Sequence, residues 1–198
     1  MFTGIYQSIV MLTVIIVFYV SDFFLISYYD QERRAKGSGR NWDFAIMSMI
    51  LAGFIVVPPI CCPWLGLQTD SWLGLLVQTI GIVFLLSAQG LHWWARLHLC
   101  HFYAERVELQ PDHHLVDSGP YAYVRHPVFT SFFMYVIGLL LVNPALPTLL
   151  VAIYVLWDFS AAAKQEEILL SNSLPSYVDY MVHTGRFLPS FRYNGGAN

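Results

Sequence analysis

The sequence predicts an all-α, polytopic membrane protein: five transmembrane helices, the last two forming a hairpin, and a polar loop on the cytoplasmic side. Three observations carry this expectation. Hydrophobic residues fill 57% of the 198 positions and charged residues only 12%, where soluble domains run nearer about 25% charged. The apolar residues gather into five stretches. With five spans, all ten Lys and Arg residues fall on one side of the membrane.

The first stretch runs from about Ile5 to Tyr29, the second from about Phe44 to Cys62 and the third from about Trp72 to Trp94. A bilayer core of about 30 Å needs roughly 20 helical residues, and these three supply them. Two shorter stretches, Val128–Val142 and Leu146–Ala163, flank Asn143-Pro144. Together they read as a helical hairpin, because Asn143, Pro144 and Pro147 make a turn that no helix passes through unbroken. The beginning of the sequence shows no basic region and no small-residue cleavage site, so the first stretch is expected to be a retained span rather than a cleaved signal.

Charge sets the expected orientation. Arg33, Arg34, Lys36 and Arg40 fill the first loop; Arg96, Arg106 and Arg125 lie between the third span and the hairpin; Lys164, Arg186 and Arg192 follow it. The opposite connections, around residues 1–4, 63–71 and 143–145, contain no basic residue. The positive-inside rule places the N-terminus outside and the C-terminus in the cytoplasm. A net charge of −3 gives no electrostatic support to a nucleic-acid partner. Oligomeric state is not encoded in any pattern here.

Between the third span and the hairpin, residues 98–129 form the one long stretch that is neither apolar nor a short turn. A loop of about 30 residues in a small protein is more often functional than a plain connection. It carries His98, His101, His113, His114 and His126, but His98-x-Cys100-His101 and His113-His114 match no zinc spacing. No metal is expected. Cys61 and Cys62 are adjacent rather than a CxxC pair, and read as packing residues.

Hairpin geometry then joins distant residues. The distance from the Asn143–Pro147 turn back to His126 nearly equals the distance forward to Glu166, and both arms rise about 1.5 Å per residue. Antiparallel arms therefore bring Lys164-Gln165-Glu166-Glu167 to the depth of Arg125-His126. Two carboxylates, an Arg and a His meet where membrane gives way to water. On the residues alone this is either an active site or a Glu pair capping the hairpin through Arg125. Asp22 and Asp158 lie within apolar spans, where carboxylates are functional candidates by default.

The run His113 to Phe129, HHLVDSGPYAYVRHPVF, resembles the cofactor motif of the isoprenylcysteine carboxyl methyltransferases and their phospholipid-methyltransferase-like relatives. Glu166-Glu167 before Ile168-Leu169-Leu170 is similar to the second half of that signature, and Tyr177 through Arg186 to Pro189 resembles the family's tail. The resemblance covers about Arg96 to Pro189; the N-terminal spans match only in kind. It implies S-adenosyl-L-methionine-dependent methyl transfer by an integral membrane enzyme, with the cytoplasmic loop as the cofactor-binding loop. Carried over by position, Arg106, His113, His114, Leu115, Val116, Tyr121, His126, Pro127, Val128, Phe129 and Glu166 would bind the cofactor, and Arg125, His126 and Glu167 would be the catalytic candidates. Residues 1–95 would form a three-span region and 96–198 the loop, hairpin and tail, within one integrated domain.

Membrane lipids and a lipophilic or small-molecule methyl acceptor are the implied partners. Alternatives are a small thiol or amine as acceptor or, in another class, a sterol-reductase-like oxidoreductase. A carboxylate or thiolate acceptor needs no general base, whereas an amine or thiol needs a proton acceptor such as His126 or Glu167. The family's eukaryotic enzymes carry an Arg one turn before the Glu pair; here that position is Ala162. Phe129 replaces a usual Tyr and Ser131 a common Gly.

Overall fold

A computed structural model describes residues 3–29, 42–66, 71–99 and 115–190. In chain order its helices are α1 (Ile5–Tyr29), α2 (Trp42–Val56), the single turn α3 (Pro58–Cys61), α4 (Trp72–Leu99), α5 (Pro127–Val142), α6 (Leu146–Ser173) and α7 (Pro175–His183), with 3-10 turns at Pro63–Leu65 and Gly119–Ala122. Three stretches, Ile5–Leu25, Trp72–Leu99 and Leu146–Ser173, are long and apolar enough to cross a membrane; Ile46–Cys61 and Pro127–Val142 are shorter apolar helices.

Three boundaries differ from expectation, each for a local reason. The second stretch breaks between Val56 and Pro58, because Pro58 and Pro59 withdraw two backbone donors and their rings crowd the preceding turn. The third helix runs on past Trp94 to Leu99. The last arm does not stop at Ala163 but continues to Ser173; Lys164, Gln165, Glu166, Glu167 and Leu169 are polar or apolar, yet all are strong helix formers.

The hairpin turn is tied to the rest of the bundle by polar groups. With no water inside hydrocarbon, the open carbonyls at a helix end must find donors within the protein. The Val142 carbonyl that closes α5 accepts from the buried side-chain amides of Gln7 on α1, at 2.6 Å, and Gln78 on α4, at 3.1 Å. Asn143 donates to Thr148 Oγ1 at 3.0 Å and to the Ile55 carbonyl at 3.4 Å.

Below this end, α4 and α5 approach through glycines. A Cβ on Gly138 would stand 2.8 Å from Leu85 Cγ and 3.0 Å from the Gly81 carbonyl, and one on Gly81 would stand 2.9 Å from the Gly138 carbonyl. Small residues at such a crossing let the backbones meet. The apolar core of Met11, Leu85, Tyr135, Leu139, Val142 and Val151 surrounds this contact.

Deeper still, a polar knot links three helices. Asp22 of α1 lies 3.2 Å from Arg96 Nε and 3.2 Å from His92 Nε2 on α4, while His92 Nδ1 meets Ser131 Oγ of α5 at 3.1 Å. Asp22 therefore has its counter-ion inside the protein.

The glycine crossing makes a direct prediction. Gly138→Ala is expected to lower stability by about 1–3 kcal/mol through overpacking. Gly90→Ala, with nothing within 4 Å of the added Cβ, is expected to be neutral or to stabilise by up to about 1 kcal/mol. Thermal unfolding of the two variants in the same detergent checks the difference.

Candidate active site at the inner end of the hairpin

The site is assembled from the entrance to α5, the middle of α6 and the tail after α7. The chain approaches through the Gly119–Ala122 turn, where Gly119 has φ +59 and a Cβ would lie 2.2 Å from the His98 ring. That left-handed conformation and the close approach both call for glycine. Arg125 and His126 follow, pairing with the tail: Arg125 N donates to the Gly185 carbonyl at 2.8 Å and His126 N to the Arg186 carbonyl at 3.1 Å. His126 caps α5 and Pro127 occupies its first turn, where a missing N–H is harmless.

Glu167 is the centre of the arrangement. It is 5% exposed. Its Oε1 accepts from Arg125 Nε at 2.9 Å, Arg186 Nε at 3.0 Å and His126 Nε2 at 3.2 Å, and its Oε2 accepts from Arg186 Nη2. Arg125 also donates through Nη1 to the carbonyls of Met181, at 3.0 Å, and Thr184, at the end of α7, where a cation meets the negative end of the helix dipole. Thr130 Oγ1 reaches the Phe187 carbonyl at 3.1 Å, and Tyr180 donates to the Tyr121 carbonyl at 2.6 Å. The tail is thereby sewn to the start of α5.

Glu166 differs from its neighbour. Its side chain is 37% exposed and its Oε2 stands 3.4 Å from His126 Nδ1. His126 is thus buried between two carboxylates. Burial alone would lower its pKa, but the hydrogen bonds and charges of Glu166 and Glu167 outweigh it, and the pKa is raised above the ordinary histidine value. Aromatic faces complete the surroundings: Phe129 stacks on His126 with centroids 5.5 Å apart, and Phe187 lies at 6.0 Å.

The structure therefore brings Arg125, His126, Glu166 and Glu167 together, as the arm lengths require, with Pro127 and Phe129 adjoining. Tyr121 and Val128 pack with Ala95 and Val116 in a small apolar cluster on the flank of the site; Leu115, just before Val116, is partly exposed. Arg106, His113 and His114 lie outside the described residues. Glu167, expected as a possible proton acceptor, has both oxygens engaged by Arg125, Arg186 and His126. Sequence reasoning gave no role to Arg186, whose only signal was its place in the resembling tail.

In sequence over part of its length, and in its helical fold, the chain is similar to the isoprenylcysteine carboxyl methyltransferases. Residues 80–172 match the model of the isoprenylcysteine carboxyl methyltransferase (ICMT) family. The chain is 28% identical over 153 residues to the protein-S-isoprenylcysteine O-methyltransferase of Saccharomyces cerevisiae, covering 74% of this chain and 61% of that protein. It is 27% identical over 183 residues to the enzyme of the same name from Schizosaccharomyces pombe, covering 82% and 77%. The nickel-cobalt-cadmium resistance protein NccN of Alcaligenes xylosoxydans xylosoxydans is 26% identical over 122 residues, covering 61% and 53%. A solved structure of the eukaryotic intramembrane Ras methyltransferase ICMT shares the fold, with TM-score 0.67 and 23% identity over 90% of this chain and 64% of that one. The chain thus spans less than two thirds of several of the proteins it matches.

Two predictions follow from the enclosed carboxylate and its histidine. Glu167→Ala leaves Arg125, His126 and Arg186 without their common anion and is expected to cost about 3 kcal/mol, read as a lowered unfolding midpoint. The His126 pKa is raised on folding, so its contribution to stability is complete below the unfolded-state pKa of about 6.5 and is lost as pH rises through the folded pKa. NMR titration of ring-labelled histidine should place His126 above the free value in the native protein and lower in Glu166→Gln.

Proposed function

We propose that this protein is a methyltransferase that uses S-adenosyl-L-methionine at the inner end of the hairpin and acts on a lipophilic acceptor from the membrane. The observation that carries this reading is the half-open Glu166 carboxylate beside buried His126 and the faces of Phe129 and Phe187. The donor set fits the cofactor. Its ammonium and ribose hydroxyls need an accessible anion or acceptor, which Glu166 offers, and its adenine needs apolar or aromatic walls, which Phe129, Val128 and Val116 offer. When bound, the cofactor supplies an electrophilic methyl group on a cationic sulfur.

The chain's own residues have distinct parts in this proposal. Glu166 binds. Glu167, Arg125 and Arg186 are positioning residues, since they are consumed in mutual pairs and fix the backbone at the mouth of α5. The hydrogen bonds and charges of Glu166 and Glu167 favour the protonated form of His126, so in this reading its part is to orient Glu166. This arrangement supports an acceptor that arrives as an anion, or one that loses its proton elsewhere. In the same reading the described helices are the core of a five-span protein with the N-terminus outside and the C-terminus cytoplasmic, residues 1–95 bracing a catalytic half made by 96–198.

The test is equilibrium binding to purified protein. S-adenosyl-L-methionine should bind wild type, and Glu166→Ala should weaken it about 10- to 100-fold, the loss of a charge-assisted hydrogen bond worth about 1.5–3 kcal/mol. Binding of NADPH in preference, or an unchanged affinity in Glu166→Ala, overturns the proposal.

A further inference from the structure

Helices α1, α2, α5 and α6 line a half-open cavity of about 150 Å³ whose wall is mostly apolar, formed by residues such as Val14, Leu51, Leu139 and Val155. Two features set it apart from a packing defect. It lies next to the site already described: Phe159 in its wall stacks on Phe129, centroids 5.3 Å apart, and Phe129 stacks on His126. It is also lined by Asp158, which makes no hydrogen bond or ion pair with another described residue.

The contrast with Asp22 gives this its meaning. A carboxylate within an apolar span is costly unless a cation or donor answers it. The protein answers Asp22 with its own Arg96 and His92. Among the described residues the wall that Asp158 shares holds no Lys, Arg or His, and its other polar side chains are the neutral hydroxyls of Tyr19, Ser48, Tyr135 and Tyr154. One turn further along α6 stands Ala162 and one turn beyond that Glu166, so a single helix face leads from the cavity to the half-open carboxylate.

We propose that the cavity is the binding site of an amphiphile with a primary amine or ammonium head, the nitrogen donating to Asp158 and one segment of hydrocarbon chain filling the apolar space. A cavity of this size accepts about one ring-sized apolar group, so the remainder of the chain extends into lipid. Charge complementarity excludes a carboxylate-headed ligand, which would set two anions together in a medium that screens them poorly. The binding of this ligand does not rest on the transferase reading, and it is given no part in methyl transfer.

The experiment therefore measures binding alone, without cofactor. Photoactivatable dodecylamine and dodecanoate analogues are crosslinked to the purified full chain in nanodiscs, and the labelled peptides are mapped by mass spectrometry. The amine should label the segment around Tyr154 and Val155 at least tenfold more than the carboxylate does, and Asp158→Asn should abolish that preference while keeping S-adenosyl-L-methionine affinity. Equal labelling by both heads in wild type, or a preference that survives in Asp158→Asn, overturns the proposal. Should Asp158→Asn fail to fold, competition of the wild-type label by unlabelled dodecylamine against N-acetyldodecylamine decides: equal competition overturns it. Failure of the transferase reading appears separately, as absent cofactor binding in wild type.

Discussion

One carboxylate, Glu167, joins three segments that lie far apart in the chain. Arg125 and His126 reach it from the entrance to α5, Arg186 from the tail, and α6 carries it between them. Two guanidiniums and an imidazole in so small a volume would repel one another and lose hydration without it. The anion makes their assembly favourable, and Arg125 extends the connection to the carbonyls at the end of α7. Glu166, the residue before it, is directed toward His126 and solvent because Glu167 has fixed the helix rotation and the histidine together.

Two further polar contacts hold the bundle at other depths. At the hairpin turn, Gln7 and Gln78 satisfy the Val142 carbonyl; in the middle, Asp22, His92, Arg96 and Ser131 link α1, α4 and α5. Apolar packing inside hydrocarbon gives little orientation, since lipid tails are as apolar as leucine. The polar contacts therefore set which helix faces meet, and the Gly81–Gly138 crossing sets how closely. His92 also packs on Phe132, which contacts Phe159, so the knot bears on the wall between cavity and site.

What was legible in the sequence was whatever depends on length and local composition. Equal arms about Asn143–Pro147 put Arg125-His126 opposite Glu166-Glu167, where the structure has them. The apolar stretches marked the helices. Boundaries failed where a polar segment kept high helix propensity, as at Lys164–Glu167, or where prolines cut an apolar run, as at Pro58. The partner of Asp22 was not legible because it lies about 70 positions away, and no periodicity links residues on separate helices. Nor did any spacing distinguish the enclosed Glu167 from the open Glu166: adjacent residues point about 100° apart on a helix, and only the position of the tail decides which is covered.

The backbone bridge between Val124 and Gly185 has a temporal meaning as well. The chain is made from its N-terminus at about 5–20 residues per second, and every long helix precedes Gly185. Until the tail emerges, the backbone donors of Arg125 and His126 lack the carbonyls of Gly185 and Arg186, and Glu167 lacks one of its two guanidiniums. The helices can insert and associate while the open end of the hairpin is still unfinished. Completion of the cluster therefore waits for Gly185 and Arg186, and a chain cut before them keeps the described helices while Glu167 lacks Arg186.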